Sequence, residues 1–287
     1  MKRFIRLIII LVLILNETVY AQTLNDNNSL LWEVSGNGLT APSYLFGTFH
    51  IMCEEDFEIK SKTKNALENS KVLFLELNYS DPNELQSMQK MMQSEKKLSE
   101  QLSKESALEL NEVLKTYQMT LEQVDHYTPQ ALYSLISLKA ITCPPASLKL
   151  LDVEIMQLAL ADQKQVRGLE TVADQIDFLG KAYDVEGSIK QLALGDEYAL
   201  VFEEMIDFYK EENLYELDRL VRDPKFMNSE QEKWMLTERN KNWVYKMPDQ
   251  MKKESTFFAF GTAHLAGQNG VIQLLKDQGY TVRPILN

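Results

Sequence analysis

One short pattern, written twice, constrains this fold more than anything else in the chain. Near the C-terminus, FFAFGTAHLAG (Phe257–Gly267) drives large apolar side chains into Gly-Thr, and a histidine follows one residue later. Far upstream, YLFGTFHI (Tyr44–Ile51) does the same, so two of the three histidines stand in copies of Phe-Gly-Thr-x-His. An unbroken apolar run bounded by turn residues is the pattern of a strand buried on both faces. Each run leads through a loop to an amphipathic segment and then to a second apolar run. At the front these are EIKSKTKNALENS and KVLFLEL. At the back they are NGVIQLLKDQ, ended by Gly279, and YTVRPI. Strand, helix, strand is the parallel crossover unit. The spacing therefore predicts an α/β fold whose central sheet is built from two similar strand-GTxH-helix-strand units. Duplication or convergence explains the match, and the two histidines are expected at neighbouring strand ends.

Helix formers dominate between the units, from about residue 81 to 249. SKESALELNEVLKTYQM, TPQALYSLISLKAI, LLDVEIMQLALADQ and SEQEKWMLTERNKNWVYKM all carry apolar residues at helical spacing. KQVRGLE interrupts them as a short strand, with Thr171 capping the helix that follows. Met88, Met91 and Met92 in MQKMMQ read as helix packing. No low-complexity linker divides residues 22–287, so one domain is expected, with the helical insertion covering the site.

Residues 1–21 read separately. Lys2, Arg3 and Arg6 precede the apolar core LIIILVLIL, and small residues lead to Ala21. That is the layout of a signal peptide cut after Ala21. Its core is shorter than the ~20 apolar residues a membrane span requires. An exported protein, periplasmic or secreted, with no stable span after cleavage is expected. A net charge of −12 argues against nucleic acid as a partner, because phosphates call for Lys and Arg. In an oxidising compartment Cys53 and Cys143 either pair or remain two buried thiols. The absence of C-x-x-C excludes a cysteine metal cluster.

His50 and His264 fall one step past strand ends, on the side where open α/β sheets bind ligands. Histidine is the commonest metal ligand and the usual acid or base near neutral pH. A single loop histidine needs no special account, whereas packing gives no reason to repeat one behind Phe-Gly-Thr. Glu76 in LFLELN ends an apolar strand, where an unpaired charge is costly, so a metal or a histidine is its natural partner. Glu170 in VRGLET either faces the same place or favours the dipole of the next helix. Arg239, taken alone, reads as a helix-surface ion pair. Thr48 and Thr262 fit turn positions, and His126 in VDHYTP has no companion motif and reads as structural. Nucleophile elbow, H-E-x-x-H, Walker loop and G-x-G-x-x-G are all absent from the sequence.

FGTFH, LFLEL, VRGLET, ERNKNW and FGTAH, in this order, together resemble the TraB/PrgY/GumN family. The Tiki proteases belong to the same superfamily, which extends to erythromycin esterase and ChaN-like folds. The block FFAFGTAHLAGQNGVIQLLKDQGYTVRPI is similar to the family's C-terminal signature, and the resemblance runs from about Leu31 to Pro284. It implies an α/β fold with both histidines and a glutamate around one site, and in Tiki members metal-dependent proteolysis associated with manganese or cobalt. Carried over, His50, His264 and Glu76 become metal ligands, with Glu76 alternatively the general base, and Glu170, Arg239 and Asn240 become catalytic residues. The expected cofactor is a divalent ion, Mn, Co, Fe or Zn, for which imidazole and carboxylate ligands are all suitable. The expected function is an exported metal-dependent hydrolase acting on a peptide or protein. Two other readings stand beside it: a non-catalytic binder of peptide, iron or haem, and a metal-free His/Glu esterase-like hydrolase.

Overall fold

A computed structural model describes residues 28–286, so the expected leader over 1–21 lies outside the described residues. The strands in chain order are β1 (Leu31–Ser35), β2 (Ser43–Thr48), β3 (Met52–Cys53), β4 (Val72–Leu75), β5 (Leu148–Lys149), β6 (Gln165–Gly168), β7 (Thr256–Gly261) and β8 (Thr281–Pro284). Six of them form one sheet in the order β6-β4-β7-β2-β1-β8, while β3 and β5 make a separate two-stranded ribbon. From β6 to β2 every pairing is parallel; β1 runs antiparallel to both of its neighbours.

The two Phe-Gly-Thr runs are the adjacent central strands β2 and β7, and every residue in both is buried. They pair with a one-residue offset, Thr48 opposite Gly261. Gly47 is required by close approach: a β-carbon there would stand 2.7 Å from Leu265 Cδ1 and 2.9 Å from Thr262 Oγ1. The helices expected after each strand are present as Ser61–Asn69 and Val271–Asp277. Gly279, at φ +89°, takes the left-handed turn after the second of them.

The middle of the chain does two different jobs. β6 completes the sheet beside β4, and the helices Leu151–Ala161 and Glu238–Met251 send Ile155, Ala159, Trp243 and Met247 into the core of the sheet. Leu98, Leu110, Leu114, Leu132, Ile136, Ile189 and Leu192 instead form a second apolar cluster among the short helices. The stretch 81–249 thus supplies the strand expected from KQVRGLE as well as helices that pack on the sheet and on one another. Cys53 and Cys143 are joined by a disulfide that closes a loop of sequence separation 90. It ties the strand just after His50 to the segment leading into β5. Among the described residues no helix is long and apolar enough to cross a membrane.

Closing so long a loop restricts the unfolded chain, and loss of such a bond costs about 2–5 kcal/mol. Cys143→Ser, or wild type in reductant, is expected to unfold at lower urea by this amount. Equal midpoints with and without reductant would show that the bond does not hold this fold.

Candidate functional site

The carboxyl ends of β2, β7, β4 and β6 deliver the site. β2 ends at Thr48 and is followed by Phe49 and His50. β7 ends at Gly261 and turns through a short 3-10 segment, Thr262–His264. Glu76 lies one residue past β4 and Glu170 two past β6, and the Glu170 N–H donates to the Glu76 carbonyl at 3.1 Å. Two carboxylates are thereby placed side by side, both buried. Their repulsion requires a cation.

Arg239 supplies it, at 4% exposure. Its Nη2 donates to Glu76 Oε2 and to Glu170 Oε1, both at 2.5 Å, and its Nε donates to Glu170 Oε1 at 3.0 Å. Nη1 donates to the Met235 carbonyl at 3.1 Å and to His264 Nε2 at 3.2 Å. The plane rests over the Trp243 ring at 4.9 Å, while the indole N–H donates to Glu170 Oε2 at 3.1 Å. The exposed ion pair suggested by the local sequence is therefore corrected: this arginine is buried, and its partners come from distant strands. The reading of Glu170 as a helix-dipole residue falls with it, because its oxygens are bound by Arg239, Trp243 and Gln175. A π-helical turn, Lys233–Thr237, precedes Arg239 and carries the Met235 carbonyl that receives it. Such turns are frequent at functional sites.

Both imidazoles are oriented through Nδ1. His264, 3% exposed, donates from Nδ1 to Asn240 Oδ1 at 2.6 Å, while Asn240 donates in turn to the Asn269 carbonyl at 2.8 Å. Nε2 is then the unprotonated nitrogen, accepting from Arg239 and standing 3.8 Å from Glu76 Oε1. His50 Nδ1 meets Asp152 Oδ2 at 3.0 Å, and the other oxygen of Asp152 accepts from the Thr48 hydroxyl at 2.9 Å. Glu76 Oε1 accepts from the Gly261 N–H at 2.8 Å. A β-carbon at Gly261 would lie 2.9 Å from His50 Nε2 and 3.3 Å from Glu76 Oε1. Glycine here keeps open the space that the two groups share.

Charge states follow from this setting. Burial pushes the Glu76 carboxyl up, but the Arg239 guanidinium and the two imidazoles outweigh it and hold it below the usual range. Burial and the adjacent Arg239 charge push the His264 imidazolium well below its ordinary value. For His50, desolvation acts downward, yet the hydrogen bond and charge of Asp152 carry it up to about 9.

The structure thus gathers His50, His264, Glu76, Glu170, Arg239 and Asn240 into one place. His126 is elsewhere, with Nδ1 at 3.2 Å from the Ser94 carbonyl. Sequence reasoning missed Asp152, Gln175 and Trp243. Asp152 left a usable trace: it is buried in phase with Ile155 and Ala159 on its helix, where an acid needs a partner. The donor set suits a divalent cation, with two imidazole Nε2 atoms, a carboxylate oxygen and glycine-made room. As the side chains stand, however, no three or more His, Cys, Asp or Glu among the described residues close around a single point. Arg239 lies between His264 and Glu76 and satisfies them both.

Comparison with known proteins identifies relatives of the chain. The model of the TraB/PrgY/gumN family matches residues 30–284. Metalloprotease TIKI1 of Danio rerio is 24% identical over 319 residues, covering 90% of this chain and 63% of that protein. Metalloprotease TIKI2 of Xenopus tropicalis is 24% identical over 329 residues, covering 90% of this chain and 60% of that protein. The chain thus spans less than two thirds of the length of these relatives. No solved structure matches at a significant level.

Removing one partner of a buried ion pair leaves an uncompensated charge and costs about 3–5 kcal/mol. Arg239→Met is expected to lose stability on that scale in urea unfolding. Adding Glu76→Gln and Glu170→Gln should restore a large part of it. A stable single mutant would mean that the two carboxylates do not depend on this guanidinium.

Proposed function

This chain belongs to the TraB/PrgY/gumN family, and on that premise we propose that it is an exported, metal-dependent hydrolase of the peptidase kind. The observation that carries the reading is that His50 Nε2 and Glu76 Oε1 both border the space over Gly261, with His264 Nε2 3.8 Å from the same carboxylate oxygen. His50, His264 and Glu76 would hold a divalent ion. A bound ion of this kind polarises a scissile carbonyl and lowers the pKa of a coordinated water from 15.7 toward about 7. Similarity to the Tiki metalloproteases supports the peptide-bond assignment, and the basic-apolar start of the sequence supports export.

The protein's own groups prepare this chemistry. Asp152 and Asn240 hold the two Nδ1 atoms, which fixes each ring's tautomer and turns Nε2 toward Glu76. Glu76 has Oε2 taken by Arg239 and Oε1 aligned by the Gly261 amide, a setting that suits a fixed ligand better than a mobile base. Arg239 has all five of its N–H donors occupied. Its role is to keep Glu76 and Glu170 ionised and in place, rather than to offer a free donor to an oxyanion.

The Thr48–Asp152–His50 chain favours a second reading. An imidazole oriented by a buried carboxylate is also the arrangement of a general base, which would permit metal-free ester or amide hydrolysis. Retention of activity after exhaustive chelation would select this alternative.

A peptide-library digest with and without chelator, followed by Mn, Co, Fe or Zn add-back, tests the main reading. Glu76→Gln and His264→Ala are each expected to lose bound metal, and turnover by ~10²-fold or more, on the scale of losing a positioned catalytic group. His126→Ala should stay within a few-fold of wild type. An inactive His126→Ala together with an active His264→Ala would overturn the assignment.

A further inference from the structure

Two cavities meet at the site, and their walls differ in kind. One, of about 440 Å³, is lined mainly by the rings of Phe49, Tyr133, Tyr183, Tyr198 and Phe202 together with His264, with Met205 and Met227 filling part of the wall. The other, of about 680 Å³, is lined by Met88, Met91, Met156 and Phe178 together with Glu76 and Asp152. His50, Met235 and Arg239 border both. The reacting centre therefore sits on a shared ridge, with an apolar chamber on each side.

An extended peptide points successive side chains to opposite sides. A scissile bond laid on the ridge would send one flanking side chain into each chamber. We propose, resting on the hydrolase reading above, that the substrates are peptides with a large apolar residue on both sides of the cut bond, one side selected strictly and the other loosely. The aromatic chamber is the strict one. Its rings pack on one another, with Tyr133–Tyr183 centroids at 4.9 Å, Phe49–Phe202 at 5.2 Å and Tyr198–Phe202 at 6.0 Å, so the aromatic part of its wall holds its shape. The methionine chamber is the loose one, because unbranched thioether chains refill the space around side chains of different shape. Met88 and Met91, which the sequence suggested were packing residues, stand on its wall. Away from His50 on the shared ridge, the charged groups lining the two chambers offer no free partner: Arg239, Glu76 and Asp152 are already paired, and an unpaired charge brought out of water is disfavoured.

Quenched peptides varied independently on each side of one bond, with mass spectrometry to place the cut, test this. Efficiency is expected to drop by about ten-fold or more when either flanking residue becomes Asp, Lys or Gly, on the scale of losing apolar contacts in a pocket. One side should accept Leu, Met and Phe alike and the other should discriminate among them. Ser137→Trp, which fills the aromatic chamber, should exclude large residues on the strict side while sparing peptides with Ala there. Met88→Lys should gain peptides with Asp or Glu on the loose side. Cleavage without apolar preference, or Ser137→Trp lowering all substrates equally, would overturn the inference. If no metal restores cleavage, calorimetry with a Phe-Leu peptide carrying a reduced central bond separates the two claims. Binding that Ser137→Trp weakens ten-fold keeps the substrate class and removes only hydrolysis. Equal binding of an analogue with Asp on both sides, or no binding at all, removes the substrate class.

Discussion

The organisation of the site depends on one buried guanidinium. Glu76 and Glu170 follow adjacent parallel strands, and a parallel register leaves them nowhere to separate. Arg239 binds both, reaches His264, and is anchored to the Met235 carbonyl of its own π-helical turn. A lysine could supply the charge but not this planar set of donors at fixed angles. The balance is incomplete in sign: Glu76 and Glu170 share one guanidinium, while the third buried carboxylate, Asp152, pairs with His50. The surplus negative potential is directed at the two imidazoles and the space over Gly261.

The duplicated motif produces two histidines with the same backbone origin and different chemistry. Helices from outside the motif make the difference. An aspartate holds one Nδ1 and an amide holds the other. Desolvation acts downward on both rings, but Asp152 reverses it for His50, whereas Arg239 reinforces it for His264. A repeated strand-turn thus supplies position, and the non-repeated middle of the chain supplies electronic identity.

This division explains what the sequence made legible. Strands β2 and β7, their helices and the convergence of His50 with His264 follow from local patterns, since apolar runs and Gly-Thr turns act over a few residues. Glu76 was legible because a carboxylate in an apolar strand has an obvious cost. Arg239 read from its neighbours Glu238 and Asn240 alone suggested a surface ion pair, and only the family resemblance placed it at the site, because its partners are 163 and 69 residues away. Asp152 stayed hidden among helical residues that looked ordinary apart from its burial phase. Which helices of the insertion meet the sheet and which meet one another was not legible, because helix periodicity does not say where each apolar stripe packs. The disulfide was left open because pairing depends on a distance that only the folded loop defines.

Topology explains why these groups meet where they do. From β2 the chain crosses over to β4 and later adds β6, moving toward one edge of the sheet. From β7 it crosses β2 and β1 to β8, moving toward the other edge. The connections leaving these two neighbouring parallel strands therefore run in opposite directions, each passing the other strand, and the crevice lies beyond their carboxyl ends, where open α/β sheets bind ligands. His50 and His264 are among the first residues on those two paths. The helices that return across the opening bring Asp152, Arg239 and Asn240 down onto the two rings. Aromatic and methionine side chains then wall the crevice on either side of the ridge. The same pair of crossovers that positions the polar centre thus also positions the two chambers beside it, and both have a single topological origin.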